Sequence, residues 1–225
     1  MENIKIISIY IMATLFIFLI AMNIYYNENV NNNKITGYDA INTRVNLLPI
    51  QPSNCSFHLN VGWNMVSFFC FGMWEPRDDT LDTINSSYDV IFAYDSSDSA
   101  DPWKSYKKDL PAWAVQQLNH LDRVSGYMIY MNSEADYEFN GSKKSTPIPL
   151  RRGWNLVGYP RIVNDSINNS LNSIAYSTVK YYDNNADAYL SYISGASNNT
   201  LSDFDIYHGY WINSSTDQYW NLNAT

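Results

Sequence analysis

The sequence predicts a mainly β chain of the α+β kind, with an N-terminal transmembrane helix followed by two duplicated small β-rich modules carrying short helices. Three observations predict it. An uncharged apolar run occupies residues 6–22. A set of aromatic and branched blocks recurs in the same order at an offset near 90. Aromatic residues equal charged ones at 16% each, with nineteen Tyr and seven Trp, while 46% hydrophobic content excludes a disordered chain. The expected organisation is an anchor at residues 1–26, a polar stalk or linker at 27–53, a first β-rich module at 54–146 and a second at 147–225. A net charge of -8 argues against nucleic acid as a partner. Two cysteines are too few for a disulfide scaffold.

The apolar run, extended through Tyr25 and Tyr26, reaches 21 residues. At ~1.5 Å per residue that spans a hydrocarbon core of ~30 Å. A cleavable signal peptide is the competing reading, but its apolar region is usually ~7 to 15 residues and ends in small residues. Here the run ends in Asn-Ile-Tyr-Tyr-Asn, so an uncleaved anchor is preferred, with both Tyr in the interfacial aromatic belt. Lys5 and Glu2 offset one another, and charge leaves the orientation open. Polymerisation through this helix is disfavoured because no Lys/Arg-Gly processing site precedes the run.

Glycosylation sequons address the side. Asn54, Asn85, Asn140, Asn164, Asn168, Asn198, Asn213 and Asn223 each begin Asn-x-Ser/Thr. With 28 Asn and 34 Ser plus Thr in the chain, chance supplies about four. An Asn- and Ser-rich composition therefore accounts for half, and the excess points to an extracellular bulk. Residues 27–51 are polar and Asn-rich without sustained periodicity, which reads as a stalk, with residues 45–50 as an alternative short strand.

A duplication organises residues 54–225. Leu59-Asn-Val-Gly-Trp-Asn-Met-Val-Ser-Phe68 returns as Leu150-Arg-Arg-Gly-Trp-Asn-Leu-Val-Gly-Tyr159. Val90-Ile-Phe-Ala-Tyr-Asp95 matches Val179-Lys-Tyr-Tyr-Asp183 with one residue fewer, Trp103-Lys-Ser-Tyr106 matches Tyr189-Leu-Ser-Tyr192, and Gly126-Tyr-Met-Ile129 matches Gly209-Tyr-Trp-Ile212. The offset shrinks from 91 through 88 and 86 to 83, as loop deletions between constant elements require.

Each module reads as strands joined by turns. Residues 63–69 and 154–159 come after a Gly suited to positive φ, and 56–59 and 148–150 are expected hairpin arms beside them. Residues 80–87 and 164–174 have the starts and spacing of short helices. Two paired strands come next, around an Asp/Asn/Ser turn. Residues 111–121, with Pro at the start and apolar positions at helical spacing, predict a second helix that shortens to a turn at 201–206. Residues 126–131 with 137–139, and 209–213 with 218–222, close the modules as strands.

The Gly-Trp-Asn-[Leu/Met]-Val opening, the Tyr-Asp turn followed by Trp/Tyr-x-Ser-Tyr, and the closing Gly-Tyr-[Met/Trp]-Ile strand resemble the Gly-Trp-Asn repeat modules found in tandem in archaeal and bacterial cell-surface proteins. The resemblance runs from about Ser56 to the C-terminus. It implies a surface-displayed β-rich module without known catalytic residues, and no particular ligand.

Trp63 and Trp154, each followed by Asn64 or Asn155, hold the same slot in both copies. Stacked on pyranose rings they would bind carbohydrate. Set inside an apolar strand, they read better as the core plug of each module, with the Asn satisfying turn backbone groups; Trp211 and Tyr210 read the same way. Asp95, Asp98 and Asp101 align roughly with Asp183 and Asp187 and are candidate Ca²⁺ ligands. They lack EF-hand spacing and are also what a hairpin turn uses, so no metal or other cofactor is expected. Cys55 and Cys70, 15 apart, are expected to pair in an oxidising exterior. His58, His120 and His208 form no metal-binding pair, and neither G-x-S-x-G nor a phosphate-cradling loop occurs. Carboxylates are abundant in an acidic chain, so their pairing signals no glycosidase. Lys104, Lys107, Lys108, Arg151 and Arg152 read as solvated faces. The expectation is a non-enzymatic, membrane-anchored, extracellular glycoprotein serving envelope structure, adhesion or interaction. Its expected partners are the membrane, through the N-terminal helix, and other cell-surface proteins or glycans.

Overall fold

The computed structural model describes residues 52–111, 113–142 and 146–222. The apolar run, residues 27–51 of the stalk, the alternative strand at 45–50 and the Asn223 sequon lie outside the described residues, while residues 52 and 53, expected in the stalk, belong to the first strand. Among those described, no helix is long and apolar enough to cross a membrane.

The described chain is mainly β. Its first half runs β1 (Pro52–Leu59), β2 (Gly62–Ser67), β3 (Glu75–Pro76), α1 (Arg77–Thr80), a 3₁₀ turn (Asp82–Ile84), β4 (Tyr88–Tyr94), β5 (Trp103–Lys107), β6 (His120–Leu121), β7 (Gly126–Met131) and β8 (Ala135–Ser142). The second runs β9 (Ile148–Leu150), β10 (Gly153–Gly158), β11 (Asp165–Ser166), α2 (Ile167–Ser170), β12 (Tyr176–Asp183), β13 (Ala188–Ile193), β14 (Asp203–Phe204), β15 (Gly209–Ser214) and β16 (Gln218–Trp220). The halves have one topology. Antiparallel sheets β2-β7-β4-β5 and β10-β15-β12-β13 are each flanked by two small pairs, β1-β8 with β3-β6 and β9-β16 with β11-β14.

The register of the two sheets refines the alignment. Ile91 faces Ile129 and Tyr106, while Val179 faces Ile212 and Tyr192. Both strands bulge at one place, after Tyr88 opposite Met131 and after Tyr176 opposite Ser214. Val179 is therefore equivalent to Ile91, not to Val90, which removes the one-residue deletion expected inside this block. The shortening lies in the loops.

Three element expectations also change. β1 does not form a hairpin with β2: it pairs along its whole length with β8, Leu59 opposite Ala135 and Pro52 opposite Ser142. The first helix is displaced to Arg77–Thr80 and the 3₁₀ turn at Asp82–Ile84, and the second is cut to Ile167–Ser170. The described residues of 111–121 form no helix. Their backbone turns at Pro111 and then bonds to β5, with Gln117 and Leu118 N–H donating to Ser105 O, both at 3.2 Å. Leu118 and Leu121 reach the core while Trp113 and Val115 stay in solvent. The helical spacing thus had no buried face to stabilise it. The second module repeats the device, with Thr200 and Leu201 donating to Ser191 O.

Each module has its own core. Phe68, Phe71, Leu81, Ile91, Tyr127 and Ile129 are buried in the first, and Tyr159, Ile167, Leu171, Phe204, Ile212 and Trp220 in the second. Tyr137 and Trp220 are equivalent core plugs whose polar tips are satisfied alike. The Tyr137 hydroxyl donates to Thr80 O at 3.0 Å, and Trp220 Nε1 to Ser170 O at 2.8 Å. A disulfide joins Cys55 of β1 to Cys70 beyond β2, Cα atoms 6.1 Å apart and both residues buried.

The described residues fall within one compact unit, in which the modules brace each other across a pseudo-two-fold seam. Ser67 N–H donates to Tyr207 O at 2.7 Å, and the equivalent Gly158 N–H donates to Val124 O at 2.8 Å. Val66 bridges His208, and Val157 bridges Ser125. The repeated Gly-Tyr motif sits at this crossing. A Cβ on Gly126 would lie 2.6 Å from Val157 O, and one on Gly209 would lie 2.6 Å from Val66 O.

Candidate functional site

The Gly-Trp-Asn motif builds the same corner twice. Gly62 and Gly153 take φ of +90° and +100°, a region open to glycine. The turn is then stapled by the following Asn. Asn64 Nδ2 donates to Asn60 O and Gly62 O at 2.7 and 3.0 Å, while its Oδ1 accepts from Asn60 N–H. Asn155 does the same with Arg151 and Gly153, at 2.7 and 2.9 Å. Both amides are buried, and each satisfies three backbone groups of its turn.

The tryptophans between Gly and Asn go elsewhere, which corrects the reading of Trp63 and Trp154 as core plugs. Strand alternation that sends Asn64 and Asn155 inward sends both indoles to the opposite face. Trp63 is half-buried and Trp154 is 37% exposed. Trp211 shares that face, while Tyr210 is fully buried, its hydroxyl accepting from Asp205 N–H at 2.7 Å. Tyr127 accepts from Asp122 N–H at 2.8 Å in the first copy.

The outward faces of the two sheets meet in an open aromatic groove of about 490 Å³. Trp63 of β2, Phe92 of β4, Trp103 of β5 and Met128 of β7 form one side; Tyr182 of β12, Tyr189 of β13 and Trp211 of β15 form the other. Its rings support one another edge to face. Trp103 and Trp211 centroids are 5.8 Å apart at 72°, and Tyr94 lies 5.2 Å from Trp103 and 5.1 Å from Trp211. Trp154 meets Trp211 at 6.4 Å and carries Lys180 Nζ 5.5 Å above its ring. Trp103 and Tyr189, equivalent in the two copies, remain 45% and 50% exposed. At the rim Tyr182 donates its hydroxyl to Asp187, and that bond pushes the phenol up to about 12. Sequence reasoning singled out Trp63 and Trp154 but missed Trp103, Tyr182, Tyr189 and Trp211 as surface. The signal was their shared parity along strands whose other face carries the core.

The acidic loops are hairpin turns held by their own hydrogen bonds. Asp95 Oδ1 accepts from Ser97 N–H at 2.9 Å, and Asp98 Oδ1 accepts from Ala100 and Asp101 N–H. Asp98 Oδ2 lies 2.7 Å from Lys104 Nζ, and this bond holds the Asp98 carboxyl below the usual carboxylate range. Asp183 accepts from Asn185 N–H at 3.0 Å. Among the described residues, no group of three or more His, Cys, Asp or Glu has the arrangement to hold a metal ion.

Of the seven described sequons, Asn54, Asn85, Asn140, Asn164, Asn168 and Asn198 are exposed. Asn54 and Asn140 stand opposite each other on β1 and β8. Asn213 is half-buried in β15, between β10 and β12. Two other basic groups are paired. Lys107 meets Asp89 and Arg151 meets Asp217. Arg77, which carries no motif that would single it out, is buried with its guanidinium 3.2 Å over the Tyr106 ring and Nη1 donating to Leu118 O at 2.8 Å.

No protein-family model matches this chain, and no curated protein or solved structure does either.

Proposed function

We propose that the chain is a non-catalytic, membrane-anchored protein whose duplicated module faces the cell exterior and serves adhesion or interaction. The aromatic groove would be its contact surface. The anchor rests on the apolar run and the exterior location on the sequon excess. The resemblance to Gly-Trp-Asn surface modules supports the same reading.

The observation that carries the contact role is the groove's composition. Seven large apolar side chains drawn from both modules line it, and two keep about half their surface in water. Monomeric proteins rarely leave such a patch open without a partner, and aromatic anchors dominate the energetics of protein contacts. Cells displaying the wild-type chain are expected to adhere to one another or to a surface, and the double substitution Trp103→Ala, Tyr189→Ala to reduce that adhesion severalfold at equal display. Equal adhesion by both would rule out the groove as the contact surface.

Carbohydrate binding by the exposed aromatics is the second reading, favoured by the open indole faces of Trp103 and Trp154. A glycan array probed with the full chain separates the two. Signal lost on Trp63→Ala and Trp154→Ala, with near-ultraviolet circular dichroism unchanged, supports sugar stacking. A silent array with adhesion intact supports a protein partner.

A further inference from the structure

The pseudo-two-fold seam contains two equivalent crevices, and they differ in size. One, beside the β4–β5 hairpin, measures about 700 Å³; its counterpart beside the β12–β13 hairpin measures about 380 Å³. The register accounts for the difference. Ala93 in the first is replaced by Tyr181 in the second, Val124 by Tyr207 and Ser125 by His208. Tyr181 and His208 stack at 4.3 Å and narrow the smaller crevice. Three small residues keep the larger one open, at a size typical of ligand sites.

Its lining differs in chemistry from the aromatic groove. Asp95 and Lys104 stand beside Gln117 and Asn119, and the floor carries the apolar side chains of Ile148 and Leu156. Both cations of its lining are paired, Lys104 with Asp98 at 2.7 Å and Arg151 with Asp217 at 3.3 Å, which leaves no net cationic centre for an anion. At the mouth, Trp74 is 75% exposed and stacked on His120 at 4.3 Å. A polar wall, an apolar floor and an indole at the rim suit a neutral ring that has hydroxyls around its edge and C–H groups on its face.

We propose that this crevice is a binding site for a neutral saccharide of one to three units, and that the second module has lost the equivalent site by narrowing it. The proposal does not depend on what the aromatic groove binds.

The test is saturation-transfer-difference NMR with the full chain in a detergent lacking a sugar headgroup. Glucose, galactose, N-acetylglucosamine and their linear dimers and trimers serve as probes. Wild type is expected to bind at least one probe. Ala93→Tyr, which puts into the first crevice the side chain the second already accommodates, is expected to weaken that binding at least tenfold. Trp113→Ala, an indole in solvent outside both the crevice and the groove, is expected to leave it unchanged. Ser125→His, another exchange from the second module, provides an independent blocking variant should Ala93→Tyr not fold. No binding by any probe overturns the proposal. So does wild-type affinity in a folded blocking variant, and binding lost only in Trp103→Ala assigns the saccharide to the groove instead.

Discussion

Gly209 lies against Val66 so closely that a Cβ on it would come within 2.6 Å of the Val66 carbonyl oxygen, and Gly126 meets Val157 O at the same distance. The neighbour is backbone on both sides of the seam and cannot rotate away. Gly209→Ala and Gly126→Ala are each expected to cost roughly 1–3 kcal/mol by overpacking, read as a lowered midpoint in urea denaturation. Gly153→Ala provides a contrast. Nothing stands within 4 Å of its added Cβ, so its cost comes only from the φ of +100°.

The Cys55–Cys70 bond closes a loop of 15 residues in the first module alone. Chain entropy gives such a loop about 3 kcal/mol. The Cys55→Ser, Cys70→Ser chain is expected to lose about that much. Non-reducing peptide mapping should find the linked pair in the wild type.

Asn155 is the staple of the second Gly-Trp-Asn corner, and its amide serves three backbone groups in that turn. Asn155→Ala removes the partner of all three, at an expected cost of about 1–3 kcal/mol. Asn64→Ala should match it. Trp154→Ala, one residue away on the open face, is expected to cost much less, and a larger loss than Asn155→Ala would mean the indole is the core element.

His208 sits in the smaller crevice, stacked on Tyr181, with Asp205 Oδ2 3.9 Å from its Nδ1 and Asp183 near. Burial lowers its pKa below the usual 6.5, against the partial opposition of Asp205 and Asp183. The unfolded chain therefore binds the proton more readily than the folded one. Stability is full above the ordinary histidine value and falls as pH drops through it. Thermal melts between pH 7.5 and 5 should show a downward trend that is shallower in His208→Gln.

Asn213 offers a check on sequon use that is independent of location. It lies inside β15, flanked by β10 and β12, whereas the other described sequons are exposed. Glycopeptide mapping of native protein is expected to find Asn213 bare and glycans only among the exposed sites.

Much of this architecture was legible in the sequence because it is written twice. The corner glycines, the stapling asparagines and the closing Gly-Tyr strands carry one geometric task each, so their spacing exposes them. What misled was residue type read without parity. Trp63 and Trp154 looked like core because their repeated slot lies inside an apolar strand, yet the buried plugs are Tyr137 and Trp220, near the module ends. Residues 111–121 had helical spacing, but hydrogen bonds to β5 claim that backbone. The unequal crevices were hidden by a gap placed inside the β4 block, which obscured that Ala93 corresponds to Tyr181. Register across a sheet is a tertiary fact, and only the paired strands reveal it.

The central claim is that the aromatic groove faces the outside of the cell, and cysteine labelling tests it most directly. Both native cysteines are joined in the disulfide, so Tyr189→Cys places a single reactive thiol at the groove. A membrane-impermeant maleimide added to intact cells is predicted to label this variant fully and the wild type not at all. Labelling of Tyr189→Cys only after the cells are permeabilised would contradict the account.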